Sequence, residues 1–186
     1  MTGRVYPDER SGPFPSPPTT AEDQERRAIE IRAVDGFEEA LEDTVEMYVE
    51  FDPTDRAQGI PPTGEGRIRN WLETISENSV NVVARHGENV VGHAVLVPDV
   101  DDPSAVEDGD EIEWELAIFV LQAYQRAGIG TMLLNHLLGH ASDRDIEHVW
   151  LTVERWNAPA IALYERVGFE QTGTESFEQE MAIRLG

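Results

Sequence analysis

Residues 124–134 read YQRAGIGTMLL: two glycines one residue apart stand where a run of apolar side chains with helical spacing begins. A strand that turns directly into a helix presents unpaired main-chain N–H groups at the positive end of the helix dipole, an anion site that needs no side chain. Gly128 and Gly130 lack a Cβ, so a phosphate can approach that backbone closely. The competing reading is that both glycines only allow tight packing of strand on helix. A dinucleotide fingerprint is excluded, because Leu133 holds the position of its third glycine. Lysine is absent from the chain, which excludes a Walker-type phosphate loop and Schiff-base chemistry.

Other residue types bear on chemistry through their spacing. Glu113 and Glu115 lie two apart on a predicted strand and share one face, which makes either a candidate proton acceptor; in so acidic a chain a carboxylate is also an ordinary solvated charge. His136 and His140 stand at i, i+4, half of a zinc site, but no cysteine exists to complete one, and they read as surface histidines with no metal. His93 follows Gly92 on a strand and reads as a satisfied, half-buried histidine. Trp114, Trp150 and Trp156 are either an aromatic wall or core.

The chain of 186 residues carries 14 basic and 37 acidic residues, a net charge of −23. All 14 basic residues are arginine. A surface of that sign repels phosphate backbones, so no nucleic-acid partner is expected. Lysine avoidance with excess carboxylate is the composition of proteins from salt-loving organisms, where a Debye length of about 3 Å near 1 M salt screens self-repulsion. Without a signal peptide or an apolar stretch near 18 residues, the expected location is cytoplasmic with no membrane partner.

The elements that must position these residues follow from periodicity. Residues 1–27 are rich in proline and lack a periodic apolar pattern, so they read as an extended, mobile tail in which Tyr6 and Phe14 could dock; residues 28–186 read as one domain. AIEIRAV from Ala28 alternates as a strand. A helix is predicted over 36–51 with Phe37, Leu41, Val45, Tyr48 and Val49 on one face, then a Pro- and Gly-punctuated connection over 51–66 and a short helix over 67–76. Residues 80–100 read as a hairpin turning at His86–Asn89, followed by an acidic loop. EWELAIFVL (113–121) is a further strand, Thr131 to Ala141 a helix with Leu133, Leu134, Leu137, Leu138 and Ala141 inward, and HVWLTVE (148–154) another strand. Asn157 before Pro159 starts a helix that Gly168 stops, and EMAIRL closes the sheet. The result is a mixed α/β fold with a strand–helix–strand crossover in its middle.

Gln125-Arg126-Ala127-Gly128-Ile129-Gly130 resembles the Gln/Arg-x-x-Gly-x-Gly/Ala motif of the GCN5-related N-acetyltransferase (GNAT) superfamily, and EWELAIFV, LTVERWNAPAIALYERVGF, GFEQTG and EMAIRL resemble, in order, its later strands and last helix. The resemblance implies a mostly antiparallel sheet of six to seven strands with a splayed parallel pair in the middle and about four helices. It further implies acetyl-CoA as co-substrate and transfer of acetyl to a primary amine by direct attack in a ternary complex. Gln125, Arg126, Ala127, Gly128, Ile129, Gly130 and Thr131 would hold the diphosphate, and Ile118, Phe119 and Val120 the pantetheine. Asn157 would contact the coenzyme or serve only as a helix cap. Tyr164 would meet the thioester sulfur as general acid, or be a core aromatic, and Glu115 would be the general base. The acceptor would be shaped by the loop from Asp52 to Gly66. A protein N-terminus or lysine as acceptor, a non-catalytic acyl-CoA-binding module, and a homodimer remain open alternatives.

Overall fold

The computed structural model describes residues 3–56, 60–107 and 111–186. Strands β1 (Thr19–Glu22) and β2 (Ala28–Ala33) precede helices α1 (Leu41–Glu50) and α2 (Glu65–Ser76); β3 (Val80–His86), β4 (Asn89–Pro98) and β5 (Glu113–Val120) lead into α3 (Ile129–Ser142); β6 (His148–Glu154), α4 (Ala158–Val167), β7 (Glu170–Thr174) and β8 (Glu178–Arg184) complete the chain. The strands form one sheet in the order β1-β2-β3-β4-β5-β6-β8-β7. Every pairing is antiparallel except β5 with β6, the pair that the α3 crossover joins. The sheet has eight strands rather than six or seven, because β1 adds an edge.

Strand alternation gives the sheet two buried faces. On one, Leu116, Val149, Leu151, Met181 and Ile183 meet Leu133, Leu134, Leu137, Leu138 and Ala141 of α3. On the other, Val83, Val90 and Phe119 meet Val45, Met47 and Tyr48 of α1 and Ile68 and Leu72 of α2. Val49, expected on the inner face of α1, is instead 56% exposed, and Met47 takes the buried place. The start of the predicted helix is displaced: Phe37 has φ 56° and opens a 3-10 turn over Glu38–Ala40, which rotates α1 relative to a helix begun at Gly36.

The segment before Ala28 departs most from expectation. From Gly3 onward it lies along the body rather than trailing from it, and regular structure begins at Thr19. β1 pairs with β2 through its backbone while its side chains are largely exposed, so the alternation that marks a half-buried strand is absent from TTAE. Ahead of β1, Ser11 N donates to Arg184 O at 2.8 Å, Phe14 packs on the α3 core, and Ser16 Oγ donates to Asp143 Oδ2 at 2.5 Å. Pro15 crosses α3 at Gly139 so closely that a Cβ there would stand 1.9 Å from the Pro15 carbonyl oxygen. In the connections, residues 57–59 of the Asp52–Gly66 loop and residues 108–110 of the acidic loop lie outside the described residues.

Candidate active site

The turn from Gln125 to Gly130, expected to meet an anion, is braced from several sides. After β5 the chain makes a 3-10 turn over Gln122–Tyr124, and the Gln125 side chain reaches back, donating to Val120 O and to Asp55 Oδ2, each at 3.0 Å. Tyr124 is fixed by its hydroxyl on His86 Nδ1 at 2.8 Å and by the Arg27 guanidinium 4.2 Å above its ring. Arg27 Nη1 also donates to Ala123 O, and Gln24 N donates to Ala127 O at 2.9 Å. Asp23 orders this bracing loop by accepting from the Arg27 side chain at 2.7 Å. Nothing in the spacing of residues 23–27 announced that role.

Gly128 sits at the cap of α3 with φ 87° and ψ 2°, a left-handed conformation that costs a Cβ-bearing residue roughly 1–2 kcal/mol. The first main-chain bond of the helix runs from Met132 N to Gly128 O, and no side chain caps the end. The N–H groups of Ile129, Gly130 and Thr131 are therefore left at the positive pole of a 14-residue helix. A Cβ on Gly130 would meet only Leu163 Cδ2, at an ordinary 3.6 Å. Gly128 is thus required by its backbone angle, whereas packing within the chain does not require Gly130 to be glycine. Ala127 and Ile129 are buried anchors, and Arg126 projects outward.

Next to this turn the sheet opens. β5 and β6 pair only through Glu113–His148, Trp114–Val149 and Glu115–Trp150. Beyond Glu115, β5 stays paired with β4 as far as Val120, and β6 with β8 as far as Glu154. The facing edges of β5 and β6 diverge with ladder positions unused, and Ile118, Phe119 and Val120 lie along this stretch. The Phe119 side chain belongs to the α1–α2 core, and the Val120 carbonyl already accepts from Gln125.

Tyr164 lies on α4, one residue after the Leu163 that borders Gly130. Its ring packs partly buried on the α3 core and edge-on to Phe169 at 5.7 Å, and among the described residues its hydroxyl has no hydrogen-bond partner. Burial pushes its pKa up to about 12. Asn157 caps α4, Oδ1 accepting from Ala160 N at 3.3 Å. Glu115 is half-buried on the sheet face that also carries Glu113. Its carboxyl is raised above the usual range, first by burial and then by Asp99 and Glu178, with Arg4 opposing.

The remaining candidates separate. Trp114 packs on the α3 core, Trp150 is buried beneath Arg4, and Trp156 is 65% exposed against Phe177, so the three do not form one wall. His136 and His140 are not surface histidines: His136 is buried, its Nδ1–H donating to Met132 O, and His140 Nε2 meets Asp35 Oδ2 at 2.8 Å. His93 is completely buried rather than half-buried. Asn81 Nδ2 donates to Ser79 Oγ, so Asn81 Oδ1 accepts from His93 Nε2–H at 2.8 Å, and His93 Nδ1 accepts from the Tyr48 hydroxyl at 2.5 Å. Burial drops its pKa to about 3, which leaves the ring neutral. Among the described residues no helix is long and apolar enough to cross a membrane.

Comparison with known proteins gives this geometry a family. Over 48 residues the chain is 48% identical to the ribosomal protein bS18-alanine N-acetyltransferase of Salmonella typhimurium, a match covering 26% of this chain and 32% of that one; the chain thus spans about a third of the relative's length. The GNAT domain of S. lividans PAT superposes with a TM-score of 0.74 at 16% identity, covering 90% of this chain and 97% of that one. Salmonella typhimurium yncA, solved with its cofactor acetyl-CoA, superposes at 0.64 with 20% identity, covering 85% and 94%. Identities that low speak for the fold alone. The acetyltransferase (GNAT) family model, however, matches residues 41–169, well over half of the sequence, and the chain belongs to that family.

Proposed function

We propose that the chain transfers an acetyl group from acetyl-CoA to a primary amine by direct attack in a ternary complex. One observation carries this reading: an uncapped helix N-terminus following a left-handed glycine stands beside a parallel strand pair that opens after three rungs. The N–H groups of Ile129, Gly130 and Thr131, with the turn from Gln125 to Gly128, would hold the diphosphate, and the free edge of β5 at Ile118–Val120 would hold the pantetheine. Both are main-chain sites, so neither lysine nor cysteine is needed.

In the reaction the neutral amine attacks the thioester carbonyl carbon, the C–S bond breaks, and the thiolate takes a proton. Glu115, whose raised pKa suits it to accept the ammonium proton, would serve as base, and Tyr164, protonated throughout the physiological range, as acid. Asn157 is occupied as a cap and would touch the coenzyme only through its remaining atoms. The bS18-alanine relative's printed acceptor makes a peptide α-amine one candidate to include in a screen. The arginine-only, strongly acidic composition fits a saline cytoplasm.

The test is thiol release with a panel of amines for wild type and Tyr164→Phe. A general acid contributes roughly 10²–10⁴-fold, so turnover is expected to fall by about 10²-fold with coenzyme affinity retained. Unchanged turnover would remove Tyr164 from the mechanism. Coenzyme binding without turnover on any amine would instead identify an acyl-CoA-binding module.

A further inference from the structure

The sheet face that carries Glu115 already holds a cation, and it comes from the chain's own N-terminal segment. The Arg4 guanidinium lies 3.4 Å over the ring of Trp150. Its Nη1 donates to Asp99 Oδ2 at 2.6 Å and to Glu113 Oε2 at 2.8 Å, and its Nε to Glu180 Oε2 at 3.2 Å. Three carboxylates against one guanidinium leave two negative charges over. Trp150 is 7% exposed, and among the described residues its Nε1 has no hydrogen-bond partner.

This seat is placed at the closed end of the opened strand pair. Glu113 belongs to the first β5–β6 rung, and Trp150 faces Glu115 across the last. From Glu113 to Glu115 along β5 is two residues, about 7 Å, so a di- or polyamine held at Glu113 can present a second amine beside Glu115.

Arg4 is also held in a way that allows it to leave. No main-chain to main-chain hydrogen bond ties residues 3–10 to the body among the described residues; the first is Ser11 N to Arg184 O. The segment is secured by the side chains of Arg4, Tyr6 and Arg10 and by Arg184 donating to Asp8 O. Val5 is 70% exposed, and the Arg4 side chain keeps 25% of its surface in solvent.

We infer that Trp150 with Asp99, Glu113 and Glu180 is the seat for a positive charge of the acceptor, a di- or polyamine whose other end carries the reacting amine, and that Arg4 occupies this seat in competition with it. The inference rests on the N-acetyltransferase reading for the meaning of "acceptor"; the cation seat itself does not depend on coenzyme. Ring face and carboxylates together select a delocalised or flexible cation over a neutral amine.

The experiment is isothermal titration of spermidine, without acetyl-CoA, into wild type, Arg4→Ala, Arg4→Gln and the double variant Arg4→Ala/Glu180→Gln. About 0.5 M KCl screens the diffuse attraction of the acidic surface. If Arg4 holds the seat nine-tenths of the time, removing it tightens spermidine binding about tenfold. Both single variants are expected to show that gain and the double variant to lose it, and in turnover assays KM for spermidine falls in parallel while KM for acetyl-CoA is unchanged. Equal or weaker spermidine binding in both single variants, or a gain that survives in the double variant, overturns the inference. Failure of acetyl-CoA to bind in a parallel titration would count against the acetyltransferase reading and leave the spermidine result standing.

Discussion

Replacing Gly139 by alanine tests whether the N-terminal segment is seated on α3. The added Cβ would stand 1.9 Å from Pro15 O, 2.5 Å from Pro15 C and 3.0 Å from Phe14 O. All three are main-chain atoms, so no rotamer change relieves the overlap, and either the segment shifts or α3 does. α3 is pinned by Leu133, Leu134, Leu137 and Leu138, each completely buried, and the segment yields more easily. Overpacking of this kind costs about 1–3 kcal/mol. Against it, alanine gains up to about 1 kcal/mol over glycine in a helix interior. With the full alanine gain set against it, the balance is a loss of about 0–2 kcal/mol, or up to roughly 8 °C in melting temperature for a chain of this size. Thermal unfolding by circular dichroism gives the shift, and trypsin cleavage after Arg10 reports whether the segment has lifted. A variant that melts above wild type with Arg10 equally protected would refute the seating of residues 11–16 on α3, because helix propensity would then be the whole effect.

Three further substitutions address the buried polar groups. For Glu115, a folded pKa above the unfolded value means that its contribution to stability is full below the unfolded pKa and is lost as pH rises through the folded one. Glu115→Gln is therefore expected to match wild type near pH 4 and to exceed it in stability at pH 7, while amine turnover falls and the acid limb of kcat/KM disappears; an unaltered pH–rate profile would exclude Glu115 as the base. Tyr48→Phe strips the donor from His93 Nδ1 and leaves a buried acceptor unsatisfied, at a cost of about 1–3 kcal/mol in urea unfolding. His93 itself is neutral in the fold and charges when unfolded, so its contribution is present above its unfolded pKa and is lost on acidification toward about 3. Between pH 7 and pH 4 the stability difference in urea melts should shift progressively in favour of His93→Gln as wild type loses stability, and parallel curves would contradict the buried, neutral ring.

The parts of the molecule that the sequence announced are those where one physical requirement repeats along the chain. Five apolar residues at helical spacing place α3, and period-two alternation places β2. The glycine pair before α3 was legible because a helix opening on glycines leaves main-chain donors bare, although only the structure separates Gly128, needed for its positive φ, from Gly130, which nothing in the fold demands. The N-terminal segment was illegible for the converse reason. β1 is an edge strand with mainly exposed side chains, and the strap before it is held by scattered contacts of Arg4, Tyr6, Phe14 and Pro15 to residues 95 or more positions away. Val49 was misplaced by the rotation of α1, and His136 because α3 is buried over more of its circumference than the predicted stripe of Leu133, Leu134, Leu137, Leu138 and Ala141 marks. Glu115 and Trp150 were visible as residue types, but their pairing across the last rung before the strands part is a matter of register.

Acetyl-CoA binding at the mouth of α3 is the central claim, and isothermal titration in about 1 M KCl, which suits the acidic surface, tests it against one substitution. Gly130→Glu adds a carboxylate where the diphosphate is to sit; the surroundings admit the Cβ, and a negative charge at a helix N-terminus is stabilising by about 0.3–1 kcal/mol. Wild type is expected to bind acetyl-CoA and Gly130→Glu, with an equal or higher melting temperature, to bind at least about tenfold more weakly, the loss expected from expelling charge-assisted main-chain bonds. Folded wild type that fails to bind, or a Gly130→Glu variant that binds as well as wild type, would contradict the claim.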